Sequence, residues 1–403
     1  MKRIGLFPAL IASSLVAAGC EGVTDRVTNV TADSAVFKLT VKCGNINERG
    51  EAWYSVRRED TTQFVPATER LRFDCRSGED RVDVPLPSTT PLLSDTRYHF
   101  RTEVDLDPAN ADGSADGWVD RDYAVNGTNY ASFRTRPIKV AAGGDVADPD
   151  IADLDDDATA DVIQAIDPLH LLALGDLAYD NGELENFRQF YDPSWGRFKS
   201  RTKPVPGNHE YNLGPATGYF DYFNGVGQAN GIAGERGKGY YAFDVGTWRV
   251  YALNSEIAID ANSDQVTWLQ SDLAANPRSC SLAFVHKPRF SGGNYTDNES
   301  LAPMFQVLYD KGVELVLSGH DHNYQRYGKL TPAGTESSVG VRQFVVGTGG
   351  RSGYALRPDR RREEGQSGTF GVLELKLYRA RYAWHFRPIA GQTYADFGAQ
   401  ACH

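Results

Sequence analysis

The spacing of apolar and polar residues changes along the chain and divides it into two parts. Before residue 137, apolar and polar residues alternate in short runs, such as Val36–Cys43 and 98–104, and clusters of Gly, Pro, Asp and Ser separate the runs. Alternation of this kind is typical of half-buried strands, and many short strands with turn-rich connections favour a β-sandwich. The pattern therefore predicts an all-β first part.

After Pro137 the pattern becomes that of an α/β protein. Short apolar runs, for example 138–142 and His170–Leu174, end at Gly, Asp or His, and they alternate with segments in which apolar residues recur every three or four positions. This succession predicts strands followed by helices. The predicted helices are 150–167, 264–275 and 301–311, a further strand is 313–317, and the predicted hairpins are 240–255 and 372–386.

Residues 1–20 have the pattern of an export signal. A basic start is followed by the apolar stretch 6–18, which is too short to span a bilayer. The Ala-Ala-Gly-Cys segment that ends at Cys20 resembles a bacterial lipobox, in which the cysteine is lipidated, and cleavage by an ordinary signal peptidase is the alternative. We therefore expect an exported protein, either a cell-envelope lipoprotein, periplasmic or on the cell surface, or a secreted protein.

The chain is acidic, with 42 basic and 53 acidic residues and a formal charge of −11. This charge argues against nucleic-acid and anionic-membrane partners, so contact with a membrane is expected only through a lipid anchor on Cys20. A small anionic substrate is compatible with the charge if the site supplies positive charge of its own, for example as metal ions.

Five cysteines are present, and four remain if Cys20 carries a lipid. An even number of cysteines suits disulfide formation in an oxidising compartment. Three pairings of the four are possible. Pairing within each part of the chain would give Cys43–Cys75 and Cys280–Cys402, and free buried thiols are the alternative.

Side chains that can bind metals follow five of the predicted strands. They are Asp145; Asp176 with Tyr179; Asn208 with His209; His286; and His320 with His322. In an open α/β sheet, ligands bind beyond the carboxyl ends of the strands, so residues that are distant in sequence converge there. Oxygen and imidazole ligands favour iron, zinc or manganese, and the seven candidates other than His209 are too many for one tetrahedral zinc. A carboxylate that bridges two ions about 3.5–4 Å apart would accommodate them.

The order of these motifs resembles the calcineurin-like metallophosphoesterases and, more narrowly, the purple acid phosphatases. The motifs are Gly-Asp, Gly-Asp-x-x-Tyr, Gly-Asn-His-Glu, Val-His and Gly-His-x-His, from Gly144 to His322. The wider superfamily has a histidine two residues after the first aspartate, whereas this chain has Ala147 there and has Tyr179 three residues after Asp176. Purple acid phosphatases show this same exchange.

A second resemblance concerns the first part of the chain. The segments SAVFKLTV, DTRYHFR and SFRTRP resemble strands of a fibronectin type III domain. Together, the two resemblances imply a multidomain protein of the α+β and α/β classes. The implied domains are a lipoprotein-type signal peptide at 1–20, a fibronectin type III-like β-sandwich at 21–136 and a four-layer αββα metallophosphoesterase domain at 138–403.

The purple acid phosphatase resemblance implies two metal ions and a role for each ligand. The implied ligands are Asp145, Asp176, Tyr179 and His322 for iron(III), and Asp176, Asn208, His286 and His320 for iron(II), zinc or manganese. The resemblance also implies that His209 lies near the leaving-group oxygen, as an acid or as a phosphate ligand. The implied activity is the hydrolysis of small phosphomonoesters by attack of a metal-bound hydroxide.

Two other functions stay open at this level. A phosphodiesterase or nucleotidase would use the same two ions in a differently shaped pocket, and a surface interaction protein would carry a vestigial site. The sequence also leaves open the physiological substrate and the oligomeric state. Glu210 and Asp321 are expected to orient histidines or to face solvent; Arg289, Arg326 and Arg351 are expected to bind substrate phosphate or to be ordinary surface residues.

Overall fold

The chain forms two compact units, Met1–Pro137 and Ile138–His403, in the computed structural model. The structure describes residues 20–23, 26–28, 30–31, 33–43, 48–61, 63–69, 71–75, 82–89, 92–106, 131–134, 136–149 and 155–403. The predicted signal sequence and the Cys20 side chain lie outside this described part. Within it, none of the helices combines the length and the apolar character that crossing a bilayer requires. The predicted domain limits stay a prediction.

The described strands of the first unit form two antiparallel sheets. One sheet consists of Cys20–Val23, Arg26–Thr28, Val36–Cys43 and Val82–Pro87, and the other of Glu48–Arg58, Val65–Pro66, Leu71–Cys75, Arg97–Leu106 and Ala131–Arg134. Phe37 of the first sheet stacks on Tyr54 of the second with 4.8 Å between the ring centroids, so the sheets pack face to face. The likeness to a fibronectin type III domain stays a prediction. The side chains of the predicted Cys43–Cys75 pair lie outside the described residues.

The second unit contains two larger mixed sheets, here called sheets I and II. Sheet I has the strand order Thr202–Val205, His170–Leu174, Ile138–Gly143, Gly371–Tyr378, Arg381–Pro388 and Phe397–Ala401. Sheet II has the order Tyr241–Val245, Trp248–Leu253, Ser281–Val285, Leu315–Ser318, Val341–Val346, Tyr324–Leu330 and Arg362–Gln366. A short ribbon pairs Asn230–Gly231 with Gly234–Glu235. In sheet I the first three strands of this order are parallel and the remaining pairs are antiparallel. In sheet II the four strands from Trp248–Leu253 to Val341–Val346 are parallel, and the outer pairs are antiparallel.

Helices cover the outer face of each sheet. The α-helices are Asp155–Ile166, Leu184–Asn186, Asn208–Tyr211, Thr217–Asn224, Asp264–Ala275 and Ala302–Asp310; Trp195–Arg201 and Glu299–Leu301 are 3₁₀-helical, and Phe187–Tyr191 is a π-helical turn. Ile163 packs on sheet I beside Ala141, and Leu269 packs on sheet II beside Ala283. Because the strands are buried on both faces, they read as continuous apolar runs.

The inner faces of sheets I and II pack against each other. Trp248 of sheet II meets Tyr382 of sheet I edge to face at 6.1 Å, and Tyr324 meets Phe386 at 4.5 Å between ring centroids. The order of layers is therefore helix, sheet, sheet, helix, which is the four-layer arrangement that the family resemblance implied.

Most of the predicted elements of the second unit are confirmed, with shifted ends. The helix predicted at 150–167 is helical from Asp155, while 150–154 lies outside the described residues. The helix predicted at 301–311 follows a 3₁₀ turn, and the strand predicted at 313–317 is Leu315–Ser318. The predicted Cys280–Cys402 disulfide is confirmed.

Candidate metal centre

The carboxyl ends of the parallel strands of both sheets meet at one place. Asp145 and Asp176 follow two strands of sheet I, and His286 and His320 follow two strands of sheet II. The backbone turns sharply at these ends, with φ values of 60° at Asp145, 50° at Asp176 and 70° at His320. Such conformations are uncommon for residues other than glycine, and they concentrate where surrounding structure fixes a functional side chain.

Four predicted ligands form the first group of converging atoms. The Tyr179 hydroxyl lies 3.2 Å from Asp145 Oδ1, 3.4 Å from Asp176 Oδ2 and 3.2 Å from His322 Nε2. His322 Nε2 is also 3.3 Å from Asp145 Oδ1. Atoms that share one metal ion at about 2.0–2.2 Å are separated by about 3–3.5 Å, so the spacing suits a single cation among them.

A second group of atoms adjoins the first. His286 Nε2 lies 3.1 Å from Asn208 Oδ1 and 3.2 Å from Asp176 Oδ2. The ligand atoms of Asp176, His286 and His320 all lie within 4.8 Å of one another. Asp176 Oδ2 belongs to both groups, so it is the atom that could bridge two ions. The structure thus brings together all seven predicted ligands.

Hydrogen bonds orient three of the predicted ligands, His286, His322 and Asp145, toward the centre. His286 Nδ1 lies 2.8 Å from the Leu174 carbonyl and His322 Nδ1 lies 2.8 Å from the Ser352 carbonyl, so Nδ1 of each ring donates to a carbonyl and Nε2 is the nitrogen that faces the centre. Asp145 Oδ2 accepts a bond of 2.8 Å from the His320 backbone N–H. These partners fix the orientation of the rings and the carboxylate, as they do around bound metals in proteins.

The electrostatics of the centre suit cations. Burial and the carboxylates of Asp145 and Asp176 raise the pKa of Tyr179 well above its usual value near 10. Burial favours the neutral ring of His286, but Asp176 outweighs it and raises the pKa of His286 to about 10. Buried negative charge thus retains protons on both side chains, and metal ions would replace those protons. The residues present fit a pair of ions.

Glycines at two strand ends make room for the ligands. Gly175 has a φ of +87°, and a Cβ there would lie 2.6 Å from Nδ1 of His286. A Cβ on Gly319 would lie 2.6 Å from Oδ2 of Asp145. A side chain at either position would displace a ligand, which explains the Gly-Asp and Gly-His pairs in the sequence.

Glu210 and Asp321 do not have the roles expected from the sequence. Both are buried, so neither faces solvent. Glu210 accepts hydrogen bonds from the backbone N–H groups of Gly207 at 2.7 Å, Asp176 at 2.9 Å and Leu177 at 2.8 Å. It therefore joins two ligand-bearing turns rather than orienting a histidine.

Asp321 anchors a loop over the centre. Its Oδ1 accepts bonds from the backbone N–H groups of Asn294 at 2.7 Å and Tyr295 at 3.3 Å, and its Oδ2 accepts one from the Ser291 hydroxyl. The residue between the two histidines of the Gly-His-x-His motif thus holds the segment 291–297.

His209 stands at the rim of the centre. Its ring centroid is 4.4 Å from that of Tyr179, and its Nε2 is 3.9 Å from Asp176 Oδ2. Its Nδ1 contacts the Asp180 carbonyl. The side chain is 29% exposed, so Nε2 can meet a molecule that enters from solvent.

Of the three candidate arginines, Arg351 lies beside the centre. Its guanidinium is 4.7 Å from the centroid of the Tyr179 ring and binds Asp148. Arg289 pairs with Glu299 at 3.0 Å, and Arg326 pairs with Asp396 at 2.7 Å. The latter two are buried partners of carboxylates rather than ordinary surface residues.

Two residues beside the ligands were missed by sequence reasoning. Tyr295 stacks on His320 with 3.9 Å between ring centroids, and Tyr354 stacks on His322 at 4.0 Å. Both tyrosines lie in loops without a periodic pattern, so the sequence offers no signal for these contacts. The run Ser291-Gly-Gly-Asn-Tyr295 indicates only a turn.

Carboxylate, phenol, amide and imidazole side chains thus form two adjoining groups at the strand ends of a four-layer αββα fold. This arrangement is that of a metallophosphoesterase-type centre. The sequence model of the calcineurin-like phosphoesterase family matches residues 139–324. The chain therefore contains a calcineurin-like phosphoesterase domain, and it is similar to purple acid phosphatases.

The narrower likeness rests on curated relatives and on a solved structure. The chain is 27% identical to purple acid phosphatase 22 of Arabidopsis thaliana over 300 residues, which cover 67% of this chain and 66% of the relative. It is 28% identical to purple acid phosphatase 21 of the same plant over 282 residues, or 63% and 62% of the two chains. The matches thus span less than two thirds of these relatives.

The fold is similar to that of a purple acid phosphatase from yellow lupin (Lupinus luteus) seeds. The TM-score is 0.53 at 15% identity, over 94% of this chain and 74% of the lupin chain.

Proposed function

We propose that the protein is a two-metal phosphatase that hydrolyses small phosphomonoesters. The observation that supports this most directly is the position of Asp176 Oδ2, which lies 3.4 Å from the Tyr179 hydroxyl and 3.2 Å from His286 Nε2. One carboxylate oxygen is thereby shared by two sets of ligands, as a two-metal site requires.

In this proposal each ion has its own ligands. Asp145, Asp176, Tyr179 and His322 would hold iron(III), and Asp176, Asn208, His286 and His320 would hold iron(II), zinc or manganese. A phenolate ligand favours a strong Lewis acid, which is why iron(III) is assigned to Tyr179. When bound, the ions lower the pKa of water and neutralise charge on the phosphoryl oxygens.

His209 has the geometry to act on the substrate. Since Nδ1 faces the Asp180 carbonyl, the partly exposed Nε2 is the atom that meets the ester. We assign to Nε2 the donation of a proton to the leaving-group oxygen or a hydrogen bond to the phosphate. The buried ligands are held in place by backbone bonds, so binding need not reorganise them.

Asp176→Ala tests the proposal. We expect the purified variant, supplied with iron and zinc, to lose bound metal by elemental analysis and to release no phosphate from 4-nitrophenyl phosphate. Asp167→Asn is the matched control, because the Asp167 side chain is 77% exposed and pairs only at the surface. Full activity of Asp176→Ala in metal-free buffer would refute the assignment.

The same assay separates a monoesterase from a diesterase. We expect faster hydrolysis of 4-nitrophenyl phosphate than of bis(4-nitrophenyl) phosphate, which has the same leaving group. The reverse order would assign a phosphodiesterase to the site. Bound metals without turnover of either ester would instead indicate an interaction protein with a vestigial centre.

We also propose that the protein is exported. The Cys280–Cys402 disulfide supports an oxidising compartment. Cell fractionation of the wild type and of Cys20→Ala distinguishes a lipid anchor from release after cleavage. Recovery of both proteins in the reducing cytosol would contradict export.

A further inference from the structure

Two tyrosine rings border the metal centre on one side, and we call Tyr295 and Tyr354 the aromatic ledge. Each ring stacks on a ligand histidine, with interplanar angles of 17° for Tyr295 on His320 and 8° for Tyr354 on His322. The two tyrosine rings are 6.2 Å apart and meet edge to face at 70°. They therefore form one continuous aromatic surface beside the ligands.

The ledge is fixed by bonds to the metal-binding segment itself. The backbone N–H of Tyr295 donates to Asp321 at 3.3 Å, and the backbone N–H of Tyr354 donates to the His322 carbonyl at 2.8 Å. Each tyrosine is thus tied to the short run that carries both ligand histidines. The ring positions follow from this anchoring, so the ledge is preorganised.

The ledge is also open to an incoming molecule. Tyr295 is 40% exposed, and Tyr354 is half-buried. A phosphate held by the centre would lie next to His320 and His322, and each tyrosine ring lies against the face of one of these histidines, with 3.9 Å and 4.0 Å between the ring centroids. The group esterified to that phosphate would therefore reach the ledge.

We propose that the aromatic ledge selects phosphomonoesters whose leaving group is a planar aromatic ring. This inference rests on the proposed phosphatase function and names its substrate class. Aromatic pairs in offset or edge-to-face contact gain free energy beyond the area that they bury, whereas an alkyl group gains only the burial. Tyr295 is accordingly a specificity-determining residue, and its ring rather than its hydroxyl carries the effect.

Tyr295→Leu and Tyr295→Phe test the ledge. We expect Tyr295→Leu to lower kcat/KM for phenyl phosphate by about three- to tenfold while glycerol 2-phosphate changes by less than about twofold. Tyr295→Phe should retain the wild-type preference. Because each variant is compared with the wild type on the same ester, the differing reactivity of the two leaving groups cancels.

A binding measurement that needs no turnover accompanies the kinetics. Calorimetry with phenylphosphonate and methylphosphonate should show that Tyr295→Leu weakens only the phenyl compound, at unchanged metal content. Equal weakening of both phosphonates, or of neither, overturns the ledge. If the wild type hydrolyses no monoester, the proposed phosphatase function is wrong. If that same protein still binds phenylphosphonate more tightly than methylphosphonate, the proposed role of the aromatic ledge in binding is retained.

Discussion

Tyr179 is the residue that distinguishes this chain from the wider superfamily. Its ring contacts His209, with 4.4 Å between the centroids, and the Arg351 guanidinium at 4.7 Å, so Tyr179→Phe retains these ring contacts and removes only the hydroxyl. If the hydroxyl binds iron(III), the wild type absorbs visible light by charge transfer from phenolate to iron. We expect Tyr179→Phe to lose this band in the visible spectrum. A colourless wild type that carries zinc alone would remove iron from the proposal and leave a metallophosphoesterase.

The convergence of the proposed ligands could be predicted from sequence because each follows a strand end. Within each sheet, the closeness of Asp145 to Asp176 and of His286 to His320 follows from the rule that parallel strands present their carboxyl ends at one edge. The partners of Glu210 and Asp321 could not be predicted. Those hydrogen bonds depend on which backbone N–H groups the turns leave free. No local sequence pattern predicts which groups these are.

At the scale of elements, the helix Asp264–Ala275 allows the stabilising effect of an N-terminal cap to be tested. Ser263 caps it, with Oγ accepting a bond of 3.3 Å from the Val266 N–H. Ser263→Ala should lower the free energy of unfolding by about 1 kcal/mol, because one N–H at the helix start loses its partner. Urea denaturation measures the loss. Ser271→Ala is the control: Ser271 lies within the same helix and bonds only to the Thr267 carbonyl, so no loss is expected.

Periodicity predicted individual helices and hairpins but not their assembly. The strand Gly371–Tyr378 lies antiparallel beside Ile138–Gly143, although more than two hundred residues separate them in the chain. Nothing in either run specifies that neighbour. The segment 187–201 was missed as well, since its π and 3₁₀ turns have neither a period of two nor one of 3.6.

For the molecule as a whole, the Cys280–Cys402 disulfide is the main covalent constraint described in the second unit. It closes a separation of 122 residues and connects the start of a strand of sheet II with the edge strand of sheet I. Cys402→Ser should destabilise this unit by about 3–5 kcal/mol, since a long loop is released in the unfolded chain. The melting temperature measures this change.

Reductant provides the control for that prediction. It should lower the melting temperature of the wild type toward that of Cys402→Ser. If reductant also lowers the melting temperature of the Cys402→Ser variant, the protein contains a second disulfide, as the Cys43–Cys75 prediction requires. A wild-type melting temperature that is indifferent both to reductant and to the substitution would contradict the prediction.

Because Asp321 anchors the 291–297 loop through its backbone, the side chains of the loop can change in evolution without a change in the positions of the metal-binding histidines. Asp321 binds the main-chain N–H groups of Asn294 and Tyr295, which every amino acid except proline possesses. Side chains at 294–296 can therefore be exchanged while the histidines on either side of Asp321 keep their places. A randomised library at these positions should yield new selectivities on an intact metal centre, and proline at 294 or 295 should be the one residue that selection removes.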